Sequence, residues 1–322
     1  MKVLVVGGAG YIGSHTVYEL IRASYEVVVF DNLSTGYKTF VHPDAKFYKG
    51  DVRKYKDLEK VFLAEKNIDA VMHFAAKIVV PESVKDPLSY YSNNVEGVRT
   101  LLEAVRDFKV KYFVFSSSAA TYGEPKNPEC KETDDTIPIN PYGETKLACE
   151  KLIKWSAAAY NFNYICFRYF NVAGADKSLK IGLYKDQITH LIPLAVQAAL
   201  GVKDKLLIFG TDYPTKDGTC IRDYIHVTDL AVAHVKAISY LEKNKKSEII
   251  NLGSGTGYSV LEVASAVNNI IPIKIENAPR RDGDPAILIA NIDKAKLLLN
   301  FKPTLFLKDM IQSDIDFRKL HK

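Results

Sequence analysis

Short apolar runs alternate with longer amphipathic stretches over the first 170 residues. The runs predict strands at Lys2–Val6, Glu26–Phe30, Lys46–Lys49, Ala70–Phe74, Tyr112–Ser116 and Tyr164–Tyr169. The stretches between them predict helices at Ile12–Ala23, Lys56–Lys66, Tyr91–Phe108 and Gly143–Tyr160. Such alternation is the pattern of an α/β fold, a doubly wound parallel sheet with helices on both faces. Near-continuous Val, Ile and Phe in the strands suit a sheet buried on both sides. After Asn171 the pattern changes: helices at Ile188–Leu200 and Leu230–Leu241 are set among long polar loops, including Asp212–Arg222 and Pro279–Pro285. Residues 1–170 are therefore expected to form the first domain, with roughly 220–250 returning to it. Residues 171–322 form a smaller mixed α/β lobe, mostly loops and helices, that closes over a ligand.

Composition narrows the class. Hydrophobic residues at 47% and charged residues at 25% are enough apolar surface to offset ordering entropy, which excludes a disordered chain. No apolar run approaches the length of about 18 residues that a spanning helix needs. Val3-Leu4-Val5-Val6, broken at once by glycines, is too short for a secretory signal. The net charge of +5 comes from interspersed residues, and the densest basic run (Lys243, Lys245, Lys246) fits a solvated helix end better than a nucleic-acid groove. Cys130, Cys149, Cys166 and Cys220 form no Cys-x-x-Cys pair and read as reduced thiols of a cytosolic protein. The histidines lack metal-ligand spacing, so no metal site is expected.

Gly7, Gly10 and Gly13 form a G-x-x-G-x-x-G loop between the first strand and the first helix. A tight turn without Cβ atoms lets a pyrophosphate approach the N–H groups of the helix N-terminus. The glycines alone suit any strand-to-helix turn. The second strand, however, ends on Asp31, where a carboxylate accepts hydrogen bonds from adenosine ribose hydroxyls and repels a 2′-phosphate. With no arginine in Asn32–Gly36, NAD is favoured over NADP. Asp51 ends the next strand, where it is placed to hold the adenine edge.

Tyr142-Gly143-Glu144-Thr145-Lys146 puts a phenol and an ammonium on one helical face. A tyrosine base near neutral pH needs its pKa lowered by about 3 units, which a nearby lysine and a cationic nicotinamide favour. Upstream, Phe115-Ser116-Ser117-Ser118 ends a buried strand on hydroxyls, at the edge where doubly wound sheets bind ligands. Each part has an ordinary structural reading; the ordered set of glycine loop, strand-end Asp, Ser and Tyr-x-x-x-Lys is far more specific. Gly253-Ser254-Gly255-Thr256-Gly257 reads as a turn before a helix opened by a Ser259–Glu262 capping box, not as a second nucleotide loop. Arg222, Arg280 and Arg281 are expected in loops, where guanidinium forks suit a pyrophosphate.

Together these residues resemble the extended short-chain dehydrogenase/reductases, and within them the UDP-glucose 4-epimerase family. The resemblance runs almost the whole chain, through His73-Phe74-Ala75-Ala76, Tyr91-Ser92-Asn93-Asn94-Val95, Tyr169-Phe170-Asn171, Arg222-Asp223-Tyr224-Ile225-His226-Val227 and Ala278–Asp284. It implies a Rossmann domain binding NAD and a second lobe binding UDP-glucose and UDP-galactose. Catalysis would fall to Ser118, Tyr142 and Lys146. NAD would contact Gly7, Gly10, Tyr11, Ile12 and Gly13, then Asp31, Asn32, Ser34, Thr35 and Gly36. It would also meet Asp51, Val52, Phe74, Ala75, Ala76, Asn93, Ser116, Tyr142, Lys146 and Tyr169. The UDP-sugar would meet Ser118, Tyr142, Asn171, His190, Leu191, Leu207 and Phe209, with Arg222, Arg281, Asp284 and Leu288. The resemblance further implies a cytoplasmic homodimer joined through Tyr91–Phe108 and Gly143–Tyr160, without nucleic-acid or membrane partners.

The chain departs from the family's pattern at Lys77-Ile78, where the lysine stands one position early, and at His190, where many members have asparagine. Leu288 is intermediate at a position thought to gate bulky C2 substituents, which leaves N-acetylhexosamine substrates open; a 4-epimerase of UDP-glucuronate or a UDP-pentose is a separate alternative. A 4,6-dehydratase would usually carry Asp-Glu where Ala119-Ala120 stand, and a non-catalytic NAD-binding protein would have little need of Ser118, Tyr142 and Lys146 together.

Overall fold

The computed structural model describes residues 1–184, 188–281 and 284–321. Asp282 and Gly283, inside the Pro279–Pro285 loop and the Ala278–Asp284 segment, lie outside the described residues. In chain order the strands are β1 (Lys2–Val6), β2 (Glu26–Asp31), β3 (Lys46–Lys49), β4 (Ala70–His73), β5 (Tyr112–Ser118), β6 (Glu129–Cys130) and β7 (Asn163–Tyr169). They continue with β8 (Asn171–Ala173), β9 (Leu206–Phe209), β10 (Ile221–His226), β11 (Glu248–Leu252), β12 (Gly257–Ser259), β13 (Ile275–Ala278) and β14 (Ile287–Ala290). The α-helices are α1 (Tyr11–Arg22), α2 (Tyr55–Glu65), α3 (Val80–Lys85), α4 (Pro87–Tyr90), α5 (Glu96–Asp107) and α6 (Pro141–Tyr160). They are followed by α7 (Leu191–Ala199), α8 (Val227–Asn244), α9 (Val260–Asn268), α10 (Asp293–Leu299) and α11 (Leu307–Leu320).

These elements form two compact units, the first made of Met1–Gly123, Thr136–Arg168 and Ala231–Ile250. Its seven-stranded sheet has the order β11-β7-β5-β4-β1-β2-β3, and the pairs β1–β2, β1–β4, β2–β3 and β4–β5 are parallel. Leu4, Val28, Val71, Phe113 and Cys166 alternate into one core with Leu101, Ile153 and other helix residues. This core is what fixes the strand ends that carry the site. Helix α6 starts where its sequence dictates: the Asn140 side chain accepts from the Gly143 N–H at 2.9 Å, Pro141 supplies a preset φ, and Asn161 ends it in the left-handed region.

The second unit comprises Glu124–Asp135, Tyr169–Leu230 and Asn251–Lys322. Its larger sheet runs β12-β10-β14-β6 with β8 added beside β10, and β9 pairs with β13 separately. In this mixed α/β lobe, expected to be mostly loops and helices, the described residues include seven short strands. Strands of two to six residues are too brief for periodicity to reveal. Arg222 in consequence lies on β10, not in a loop. The predicted Ile188–Leu200 helix begins only at Leu191, after His190 in extended backbone, and the Leu230–Leu241 helix runs longer, from Val227 to Asn244. The first five residues of the predicted Tyr91–Phe108 helix form a π turn, Tyr91–Val95.

Candidate active site

The first unit holds the glycine loop, the strand-end carboxylates and the Ser/Tyr/Lys set. Gly7 leaves β1 at φ +84, a conformation that side chains rarely adopt, and a Cβ there would run into the Ala75 backbone. A Cβ on Gly13 would collide with the Gly7 carbonyl, whereas one on Gly10 would meet only that carbonyl, at 3.3 Å. Gly10 caps α1 without any side-chain hydrogen bond, and the first turn, with Tyr11 and Ile12, contains no acid. The helix therefore presents its positive end to whatever lies against Gly10. Gly13→Ala is expected to displace this loop and to release the dinucleotide during purification, checked by native mass spectrometry beside wild-type protein.

The Asp31 carboxylate accepts from the Ala9 N–H at 3.0 Å and the Leu33 N–H at 2.8 Å. Burial pushes its pKa up while those two donors pull it down. Each oxygen has a second acceptor site for a ribose hydroxyl. Asn32, Ser34 and Thr35 are exposed on the following loop, and Gly36 packs so closely on Ala9 that a Cβ would not fit. Asp51 is held by Arg53, Nη2 to Oδ2 at 2.6 Å, which lowers its pKa. Val52 is buried in the core, beneath Gly97. Phe74, Ala75 and Ala76 follow β4 half-buried, with the Phe74 ring 4.9 Å from that of His234. These positions fit a dinucleotide: a helix end for phosphates, room above Gly10 and a carboxylate for the ribose.

Ser118 closes β5, and its Oγ accepts from the Ala120 N–H at 3.1 Å. Tyr142, in the first turn of α6, is held by its backbone: its N–H donates to Ser83 Oγ at 3.2 Å, and its carbonyl accepts from Thr145 Oγ1 at 2.7 Å. The ring keeps some surface open, but protein surrounds the hydroxyl enough that burial pushes the phenol above its ordinary pKa. A hydrogen bond with Ser118 pulls the other way. Lys146, one turn on, is almost fully buried and donates to the Ser116 carbonyl at 2.6 Å, with its ammonium 5.9 Å from the centre of the Tyr142 ring. Burial lowers its pKa to about 8, opposed by Cys149, Glu150 and Cys166. The Lys146 ammonium is thus engaged by a backbone carbonyl while lying beside the Tyr142 ring.

Two supports were not read from the sequence. Asn94, in the π turn, accepts from the Lys77 N–H at 2.8 Å and donates to the Lys77 carbonyl at 3.0 Å and Thr145 Oγ1 at 3.1 Å. It ties the segment after β4 to α6, and Asn93 Nδ2 donates to it at 3.0 Å. Two adjacent asparagines within a predicted helix were the available signal, since they are weak helix formers. Glu150 is the other. It pairs with Arg168 in a buried fork of 2.7 and 3.0 Å and accepts from Ser117, behind the end of β5. An arginine inside the apolar run Tyr164–Tyr169 required such a partner. Lys77 Nζ is engaged by Glu82 and Ser89, each at 3.1 Å.

In the second unit, Asn171, His190, Leu191 and Tyr224 line a cavity of about 40 Å³. Arg222 Nη2 lies 3.3 Å from Asp284 Oδ1, and Leu288 is the register partner of Arg222 on β14. Leu207 and Phe209 sit two apart on β9, with the Arg281 guanidinium 3.9 Å over the Phe209 ring. Tyr169 is buried at the end of β7. Arg280 is taken up by Asp212 at 2.6 Å and by the Tyr213 ring at 4.1 Å.

The model of the NAD dependent epimerase/dehydratase family matches residues 3–253. The chain belongs to that family. Among epimerase/dehydratase proteins it is 52% identical to the UDP-glucose 4-epimerase of Lacticaseibacillus casei over 305 residues, 94% of this chain and 92% of that one. A crystal structure of a UDP-glucose 4-epimerase superimposes with a TM-score of 0.96 at 48% identity, covering 99% of this chain and 98% of that one. The Stenotrophomonas maltophila UDP-glucose-4-epimerase, solved with bound NAD and formylated UDP-arabinopyranose, gives 0.96 at 39% identity over 100% and 98% of the two chains. Within the epimerase/dehydratase family, the chain stands with the UDP-glucose 4-epimerases.

Proposed function

We propose that the chain interconverts UDP-glucose and UDP-galactose by NAD-dependent epimerisation at C4. The observation that carries this reading is the convergence of Ser118 at the end of β5, Tyr142 in the first turn of α6 and buried Lys146, whose ammonium lies 5.9 Å from the Tyr142 ring. Bound NAD supplies reversible two-electron chemistry, so that the sugar leaves at the oxidation level at which it entered. Tyr142 takes the proton of the sugar 4-hydroxyl and later returns it, while Ser118 holds that hydroxyl in line with the phenol. Lys146 holds the nicotinamide ribose and adds positive charge beneath the site. The 4-keto sugar turns over between the two half-reactions and is reduced on its other face.

The first unit carries NAD through Gly7, Gly10, Gly13, Asp31 and the loop after it. In the second unit Arg222 and Arg281 hold the pyrophosphate, Phe209 and Leu207 the base, and Asn171, His190, Leu191, Asp284 and Leu288 the remaining nucleotide sugar. Binding energy from the UDP, away from the reacting carbon, retains the keto sugar during its rotation. The reading includes a cytoplasmic enzyme of galactose metabolism working as a homodimer. Trp155, 73% exposed on α6, and exposed Tyr91 and Tyr160 support a face between copies. The absence of nucleic-acid and membrane partners is part of the same reading. A short basic run supports it, and among the described residues no helix is long and apolar enough to cross a membrane.

The test is incubation of the purified protein with UDP-galactose, UDP-N-acetylgalactosamine and UDP-galacturonate without added NAD, followed by NMR. Conversion of UDP-galactose to UDP-glucose is the expected result. No conversion by protein that native mass spectrometry shows loaded with NAD would overturn the reading.

A further inference from the structure

The second glycine-rich stretch, Gly253–Gly257, has no part in the function described so far. It folds around a carboxylate. Asp223, on β10, is fully buried, and its Oδ1 accepts from the Ser254 N–H at 2.7 Å and from Ser254 Oγ at 2.8 Å. Its Oδ2 accepts from the Gly255 N–H at 2.9 Å and, across the sheet, from the Ala290 N–H at 3.2 Å. Gly255 stands at φ +74, and a Cβ on Gly253 would occupy the space of the carboxylate itself. Successive N–H groups turned inward in this way form an anion nest, the device that holds phosphate in nucleotide loops. Here the anion belongs to the protein.

Three residues assigned to the UDP-sugar hang from this point. Arg222 is the preceding residue of β10. Leu288 is the register partner of Arg222, two positions before the Ala290 donor on β14. Asn171 Nδ2 donates to the Asp223 carbonyl at 3.1 Å. Burial pushes the Asp223 carboxyl up to about 6, with the Ser254, Ala290 and Gly255 donors pulling it down, so the group is ionised at neutral pH. We infer that Asp223 is a positioning residue for nucleotide-sugar binding: the Gly253–Gly257 nest locks its carboxylate and thereby fixes Arg222, Asn171 and Leu288. The inference rests on the UDP-sugar reading and extends it to residues that touch no substrate.

Asp223→Asn keeps the shape but turns an amide donor toward N–H groups. Calorimetry with UDP should show Kd raised about 5- to 50-fold, the scale of a lost charge-assisted contact. KM for UDP-galactose should rise with it, kcat at saturation should stay within about twofold, and bound NAD should stay stoichiometric. Ser254→Ala removes one donor without touching the carboxylate and should give a smaller rise, about 2- to 5-fold, with the same split. If Asp223→Asn does not fold, Ser254→Ala decides alone, and an unchanged UDP Kd in it overturns the proposal. Wild-type affinity in a folded Asp223→Asn protein overturns it, and so does a fall in kcat and NAD content alongside the rise in KM, which marks a merely structural role. Wild-type protein that fails to bind UDP would instead defeat the UDP-sugar reading.

Discussion

Tyr142→Phe is expected to lower kcat for UDP-galactose conversion by about 10²- to 10⁴-fold, the range over which a positioned acid–base group acts. Only one oxygen is removed. The backbone anchors of Tyr142, its N–H to Ser83 and its carbonyl to Thr145, do not depend on the phenol, so α6 should start unchanged. NAD content by native mass spectrometry and UDP affinity by calorimetry should therefore match the wild type. Retained turnover would remove Tyr142 from its assigned role. The raised pKa of the phenol adds a second expectation. Protein freed of NAD should carry Tyr142 as a neutral phenol at pH 8, and a wild-type minus Tyr142→Phe ultraviolet difference spectrum should show no tyrosinate band.

Lys146→Met is expected to cost about 10²- to 10³-fold in kcat, as loss of a preorganised charge in a water-poor site does. Weaker retention of NAD should accompany it. Stability should move the other way. Burial holds the ammonium at about 8 against an ordinary 10.5, so the folded state disfavours the charged form by about 3 kcal/mol. The folded pKa lies below the unfolded one. The penalty is thus fully present below about 8 and is relieved as pH rises from there toward 10.5. Compared free of NAD, the Met variant should unfold at a higher temperature than wild type at pH 7, with the gap closing above pH 8. A wild type more stable than the variant at pH 7 would contradict this account of the buried charge.

Much of the first unit was legible because its signals are local. An apolar strand followed at once by spaced glycines can do little but turn into a helix, and Asn140-Pro141 announces the start of α6. β3 is a four-residue edge strand whose central Phe47 and Tyr48 are only half-buried, so its signal in the sequence is short. The second unit hid for the opposite reason. β10 carries Arg222 and Asp223 in its first half, and a strand with two consecutive charges reads as loop unless their partners are known. Those partners, Asp284 and the Gly253–Gly257 nest, lie far along the chain. The Ser259–Glu262 capping box read after those glycines is present, but nothing local revealed which group the glycines enclose. The state of Tyr142 was equally out of reach, since desolvation depends on how many elements converge on a hydroxyl.

Strand β11 lies at one edge of the seven-stranded sheet, yet its residues come after about half of the second unit has been made. A nascent chain must reach Ile250 before this sheet can close, which takes on the order of tens of seconds at about 5–20 residues per second. Until then β7 is an open edge, a template for pairing with other chains. Phe74 and Phe167, against which His234 of α8 packs, also remain uncovered. Truncation before Ala231 should not release a free-standing nucleotide-binding module. During synthesis, the unit begun first therefore waits for residues made long after its own first strand.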